Sequence, residues 1–165
     1  MAVFRGRSLE AISVATIVVL DQVTKALVLA RLRLHESVTI IPGFLDLTHV
    51  RNTGAAFGML NAAEFQYKPL VMILVALVAL AAVASYALTM PPEQRVARLG
   101  LALILGGAIG NLIDRARTGF VLDFVDVYWR DIHFWAFNVA DSAITVGVVL
   151  MLLDVVGVGR APKTA

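Results

Sequence analysis

Apolar residues run along this chain in four blocks, each bounded by polar or helix-stopping residues. The first, from about Leu9 to about Ala30, is uncharged between Ala11 and Leu20 and then admits Asp21 and Lys25. The second, Leu70 to Met90, carries no charge and is long enough to cross a bilayer, which takes about 20 residues. Pro91-Pro92 stops it, because proline has no amide hydrogen with which to continue a helix. The third, Leu99 to Ile113, is short and turns polar at Asn111-Leu112-Ile113-Asp114-Arg115. The fourth runs from about Asn138 to about Val158, with Asp141 near its start. Between the first two blocks the period changes. Leu45-Asp46-Leu47-Thr48-His49-Val50 alternates like a strand, with Pro42-Gly43 before it and Asn52-Thr53-Gly54 after it as turns. The pattern predicts a membrane α-helical protein. It has four transmembrane helices and a small extracytoplasmic β-sheet and loop region, with residues 1–165 as a single membrane-embedded domain.

Composition sharpens that picture. Of 165 residues 59% are hydrophobic and 16% charged, against roughly 45–50% and 25% in soluble domains. Cysteine is absent, so disulfides, Cys-ligated zinc and thiol nucleophiles are excluded. The net charge is +2 with no long basic run, which gives no footprint for nucleic acid. Arg5 and Arg7 before an apolar run resemble a signal peptide. Asp21, Gln22 and Lys25 then stand where a cleavage region is small and neutral, so the first block reads as an uncleaved transmembrane helix. With four spans, Arg5, Arg7, Arg95, Arg98, Arg160 and Lys163 fall on one side, placing both termini in the cytoplasm. Arg31, Arg33, Arg51, Arg115, Arg117 and Arg130 lie on the other side, so the count alone does not fix topology. The N-terminal arginines, and the acids that offset the outer cations, favour the assignment.

Two aspartates carry the chemistry. Asp123, in Val121-Leu122-Asp123-Phe124-Val125-Asp126, and Asp141, in Phe137-Asn138-Val139-Ala140-Asp141-Ser142, both adjoin strongly apolar stretches. A carboxylate near membrane depth is costly and marks a functional site by default. Two that meet suit acid–base work, because neighbouring carboxyls drive each other's proton affinities apart. Asp21 and Lys25, at i,i+4, are either an interfacial ion pair or an orienting pair beside a site. Asn52 and Gly54 open a glycine-punctuated run to Gly58 that is a tight turn or a backbone facing a bound chain. Gly106 and Gly110 have the spacing of close helix packing in lipid. Asn111 and Arg115 share a helix face, while Asp114-Arg115 is also readable as a local ion pair. Asn138 and Asp141 suit a helix cap, which leaves Asp123 unexplained. Asp126 and Asp131 read as solvated loop residues, and Tyr128, Trp129, Phe134 and Trp135 as an interfacial aromatic belt. His35, His49 and His133 are scattered and lack metal-site spacing, and no Gly-x-Ser-x-Gly or Walker loop is present. Three functions fit: water activation by paired acids, a proton-relay transporter on Asp123 and Asp141, and a metal-dependent lipid-headgroup enzyme with Asp123 and Asp126 as ligands.

Taken together, five motifs resemble the lipoprotein signal peptidase (signal peptidase II, prolipoprotein signal peptidase) family. They are Asp21-Gln22-Val23-Thr24-Lys25, Asn52-Thr53-Gly54-Ala55-Ala56-Phe57, the stretch Gly106 to Arg115, Val121-Leu122-Asp123-Phe124, and Phe137-Asn138-Val139-Ala140-Asp141-Ser142. The resemblance spans about Leu9 to Val156. It implies a metal-independent aspartyl endopeptidase of the bacterial inner membrane, without a cofactor. Such an enzyme removes signal peptides from diacylglyceryl-modified prolipoproteins, cutting before the lipid-bearing cysteine. On that resemblance Asp123 and Asp141 match the catalytic pair, and Asp21, Lys25, Asn52, Gly54, Asn111, Arg115 and Asn138 match a substrate-binding polar shell. The expected partners are prolipoproteins and membrane lipids, the protein a monomer, and the site near the extracytoplasmic face.

Overall fold

The computed structural model describes residues 2–54, 65–130 and 132–157, with side chains from Ser8 onward. Its helices are α1 (Ala2–Arg31), α2 (Lys68–Thr89), α3 (Arg95–Thr118) and α4 (Val139–Val155). Its strands are β1 (Ser37–Ile41), β2 (Leu45–Asn52), β3 (Val121–Trp129) and β4 (Ile132–His133). Three helices, α1 from Ser8, α2 and α3, are long and apolar enough to cross a membrane. The fourth apolar block does form a helix, but α4 has 17 residues, about 25 Å at 1.5 Å per residue.

Local chemistry sets the helix ends. Pro69 sits in the first turn of α2, where no amide hydrogen is needed, and α2 ends before Pro91. Gly119 closes α3 in the left-handed conformation (φ 81°), its N–H donating to Arg115 O at 3.0 Å. Asn138 opens α4 with a reciprocal cap. Its side chain accepts from Asp141 N at 2.9 Å, and its own N–H donates to Asp141 Oδ2 at 3.3 Å.

α3 is the central helix. On one side Gly106 lies against Val14 and Ile17, and Gly110 against Asp21. Val14, Ile17, Asp21, Lys25 and Val28 therefore form the inward stripe of α1, at spacings of three and four and buried from Asp21 onward. On its other side Gly107 lies on the Ala140 carbonyl and Gly100 on Gly147. The small-residue spacing thus does what close packing in lipid requires, and against two helices at once.

The strands form one antiparallel sheet in the order β1-β2-β3-β4. β2 starts at the expected residue and pairs with β3 across a register shift between Leu47 and Val50. The segment from about Arg115 to Phe137 read as an outer loop, whereas α3 continues to Thr118 and Val121–Trp129 is a nine-residue strand. Its first residues, Val121 to Phe124, are all buried, so the two-residue alternation that betrays a half-buried strand is missing there. Asp126 is consequently not a loop residue but a strand residue paired with His133. Asp131, and Ala55 to Gly58 of the glycine-punctuated run, lie outside the described residues. Leu122 and Phe124 pack on Val28 and so fix the sheet to the C-terminal end of α1.

Candidate active site

β3 delivers Asp123, and the first turn of α4 delivers Asp141. Each of their four carboxylate oxygens faces one amide hydrogen. Asn138 Nδ2 donates to Asp123 Oδ1 at 2.8 Å, and Asn52 Nδ2 to Asp123 Oδ2 at 3.0 Å. Asn111 Nδ2 donates to Asp141 Oδ1 at 2.8 Å, and Asn138 N to Asp141 Oδ2 at 3.3 Å. Asn138 therefore touches both acids, through its side chain and its backbone.

The orientation of each asparagine is fixed by what its oxygen accepts. Asn52 Oδ1 accepts from Gly54 N at 3.0 Å, closing a small turn at the end of β2. Asn138 Oδ1 accepts the capping hydrogen of Asp141. Asn111 Oδ1 accepts from Lys25 Nζ at 3.0 Å, and an ammonium can only donate. All three amide nitrogens are thereby turned toward the acids.

Lys25 is the hub behind this arrangement. Its other two hydrogens go to Asp21 Oδ2 and Asp114 Oδ2, both at 2.8 Å. Asp21 Oδ1 in turn accepts from Ala140 N at 3.0 Å, and Asp114 Oδ2 from Leu122 N at 3.2 Å. The residues donating these bonds, Ala140 and Leu122, immediately precede Asp141 and Asp123. One buried ion cluster thus anchors the backbone beside both acids. Gln22 bridges Asp21 and Asp114 through Nε2 at 3.2 and 2.9 Å.

Asp21 (0% exposed) and Lys25 (3%) lie beneath the acids rather than on their open side. Asn138 is buried as well. Asn52, Asn111, Arg115, Asp123 and Asp141 line a cavity of about 720 Å³ between α2, α3 and α4. Ala76, Ala79, Ala108, Ile144 and Val146 give it an apolar wall, and the exposed side chains of Phe134 and Trp135 also line it. Arg115 Nη2 donates to Gly54 O at 3.0 Å, which ties α3 to the end of β2.

Sequence spacing missed two members of the cluster. Asp114 pairs with Lys25 on another helix and not with its neighbour Arg115. Gln22 lay inside a motif without a role of its own. A buried lysine with three hydrogens to place was the available signal.

Burial, and next the charge of Asp141, push the Asp123 carboxyl from 3.8 up to about 7, against the hydrogen bonds from Asn52 and Asn138 and the Lys25 charge. Two acids side by side, one of them holding its proton near neutrality, can remove a proton from water and supply one to a carbonyl. Among the described residues no group of three or more His, Asp or Glu side chains is placed to hold a metal ion.

A family model for signal peptidase (SPase) II matches residues 13–157. A lipoprotein signal peptidase of Geobacter metallireducens is 49% identical over 142 residues, 86% of this chain and 86% of that protein. One of Syntrophotalea carbinolica is 50% identical over 141 residues, 85% of this chain and 86% of that protein. A bacterial membrane enzyme solved by the in meso method at 2.3 Å superposes with a TM-score of 0.82 at 30% identity, covering 96% of this chain and 94% of that one. A second, at 1.9 Å, gives 0.81 at 28% identity, covering 92% and 94%.

Proposed function

The chain belongs to the signal peptidase II family, and on that premise we propose that Asp123 and Asp141 are the catalytic pair of a membrane aspartyl endopeptidase that matures lipoproteins. The protein is a bacterial membrane protease that removes lipoprotein signal peptides. The observation that carries the catalytic assignment is the placement of four fixed amide hydrogens on four carboxylate oxygens beside an apolar cavity.

The pair holds one proton, since two adjacent charges in a poorly solvated site repel. The ionised carboxylate takes a proton from water, and the water oxygen attacks the scissile carbonyl. The protonated partner donates to the carbonyl oxygen. Collapse of the resulting gem-diol returns a proton to the departing amide nitrogen and restores the single shared proton. The proton belongs to the pair, so neither acid is assigned as the base.

The scissile bond precedes the diacylglyceryl-bearing cysteine, whose acyl chains lie along Ala76, Ala79, Ala108, Ile144 and Val146. Asn52, Asn111 and Asn138 orient the acids, and Arg115 and Gly54 hold the edge where substrate backbone passes. Asp21 and Lys25, assigned to substrate binding from sequence, are supporting residues in this reading because they are buried under the pair. The 165 residues act as one domain and as a monomer in the inner membrane. α4 serves as a fourth span, both termini are cytoplasmic and the site lies near the outer face. Membrane lipids surround the exposed apolar helix faces.

The test is mass spectrometry of a diacylglyceryl-modified prolipoprotein after incubation with the purified protein. Release of the signal peptide on the amino side of the modified cysteine, unchanged by EDTA, is the expected result. Cleavage elsewhere, or loss of activity in EDTA restored by a divalent ion, contradicts the mechanism.

A further inference from the structure

The strand that carries Asp123 continues into a second cluster that the acid–base chemistry leaves unused. β3 presents Asp126 and Tyr128, and β4 returns His133 against both. His133 Nδ1 lies 2.9 Å from Asp126 Oδ2, and its ring stacks on Tyr128 with centroids 4.9 Å apart at 15°. Tyr128 is itself fixed. Its hydroxyl accepts from Gly43 N at 3.2 Å, and its N–H donates to Phe44 O at 2.9 Å. Across the sheet Asp126 faces Asp46 of β2 as its register partner. Oδ1 of each is buried without a hydrogen-bond partner among the described residues. Like charges directly opposite weaken a sheet, and the His133 ring is the partner that Asp126 Oδ2 finds in its place.

The chain then becomes the edge of the cavity. Phe134 and Trp135 line it, yet remain 71% and 65% exposed. The backbone is tied to β3 on either side of this edge. Phe134 N donates to Val127 O at 2.8 Å, and Phe137 N to Val125 O at 3.0 Å. The segment between these ties begins one residue past His133 and lines the cavity.

We propose that Asp126, Tyr128 and His133 form a latch that holds the Phe134–Trp135 rim over the cavity. His133 is thereby a positioning residue for capture of the lipid-bearing segment and not for the chemical step. This rests on the peptidase reading of the cavity. The His133–Asp126 contact is partly exposed, at 52% for the His133 side chain, so its loss changes capture by a factor of about five or less, the range for exposed polar pairs.

Both tryptophans of the chain, Trp129 and Trp135, flank the latch. In a Trp129→Phe background, Trp135 emission reports on the rim without any substrate. His133→Ala is expected to increase acrylamide quenching of Trp135. The same change is expected to raise KM for a diacylglyceryl-modified prolipoprotein about three- to fivefold, with kcat within about twofold. His133→Arg supplies N–H donors for Asp126 and a flat group to stack on Tyr128, and is expected to restore both readings. Adding Asp126→Ala to His133→Ala is expected to cost nothing more, as for partners in one interaction. Unchanged quenching and KM in His133→Ala overturn the latch. So does a fall in kcat at constant KM, which moves His133 to the chemical step. Altered quenching in a protein whose wild-type form cleaves no prolipoprotein supports the latch and overturns the peptidase reading.

Discussion

At the scale of single residues, each aspartate of the proposed catalytic pair is held between two donors whose direction is already decided. An amide in its place must turn its own N–H toward one of them. Asp123→Asn and Asp141→Asn are each expected to lower cleavage at least about 100-fold, the lower range for acid–base catalysis, while the protein still inserts. Turnover above a tenth of wild type in either variant rules out the pair. The Asp123 carboxyl also ties stability to pH. Folded, it titrates near about 7, and its ordinary value is 3.8. Between those values the folded chain keeps a proton that the unfolded chain has lost, so stability falls as pH rises from about 4 to about 7. The penalty is fully present above about 7. Asp123→Asn carries a constant cost from its misplaced N–H and lacks this contribution to the slope. Melting in detergent from pH 4 to pH 8 is therefore expected to show wild type losing ground to Asp123→Asn up to about pH 7 and then running parallel; a parallel course throughout contradicts the shift. Much of this site was legible in the chain, because Asp, Asn and Lys are conspicuous beside apolar runs and the i,i+3 and i,i+4 spacings put Asn138 with Asp141 and Asp21 with Lys25. Asp126 was not. Its partner His133 is reached by a strand reversal, which helix-type spacing does not reveal.

At the scale of elements, precision comes from backbone contact between helices. Gly100 of α3 faces the Gly147 carbonyl, and a Cβ there would sit 2.7 Å from it. A Cβ on Gly107 would collide with the Ala140 carbonyl and stand 2.8 Å from Ile144 Cγ1. Both Gly→Ala changes overpack, at a cost of about 1–3 kcal/mol each. Their effects on activity should differ, because Ala140 adjoins Asp141 and Gly147 lies well down α4. Well below either melting temperature, Gly107→Ala is expected to lose cleavage about tenfold or more, since small displacements of reacting groups are costly. Gly100→Ala should stay within about twofold of wild type. Equal losses would mean that α4 moves as a rigid rod, so that its first turn gains nothing from the Gly107 contact. The Gly106–Gly110 spacing announced close packing, but not that Gly107 faces a different helix. The sheet was legible only in part. β2 alternates, whereas β3 is buried on both faces where it begins, so its apolar run looked like a loop beside a membrane.

At the scale of the whole molecule, the ion cluster around Lys25 joins α1, α3, β3 and α4 at one point. Removing the cation leaves Asp21 and Asp114 facing each other without compensation, and breaking a buried pair costs about 3–5 kcal/mol. Lys25→Met is thus expected to unfold in detergent at markedly lower temperature than wild type. If it melts normally, the cluster orients the acids without holding the fold. The same cluster sets which way the molecule must face. It binds helix ends to the sheet, so in the proposed four-span arrangement β1 and the acids lie on one side of the bilayer and the turn between α2 and α3 on the other. Positively charged Arg95 and Arg98 follow that turn, and the proposed arrangement accordingly puts it in the cytoplasm. The absence of native cysteine makes this directly measurable, because a single introduced thiol is the only site a maleimide can modify. Thr39 in β1 and Glu93 in the α2–α3 turn are both exposed and remote from the acids. Thr39→Cys is expected to react with a membrane-impermeant maleimide on intact spheroplasts, and Glu93→Cys only after the membrane is opened. The reverse pattern would put the acids on the cytoplasmic side, where a signal peptide's cleavage site does not emerge, and the four-span arrangement with cytoplasmic termini would have to be abandoned.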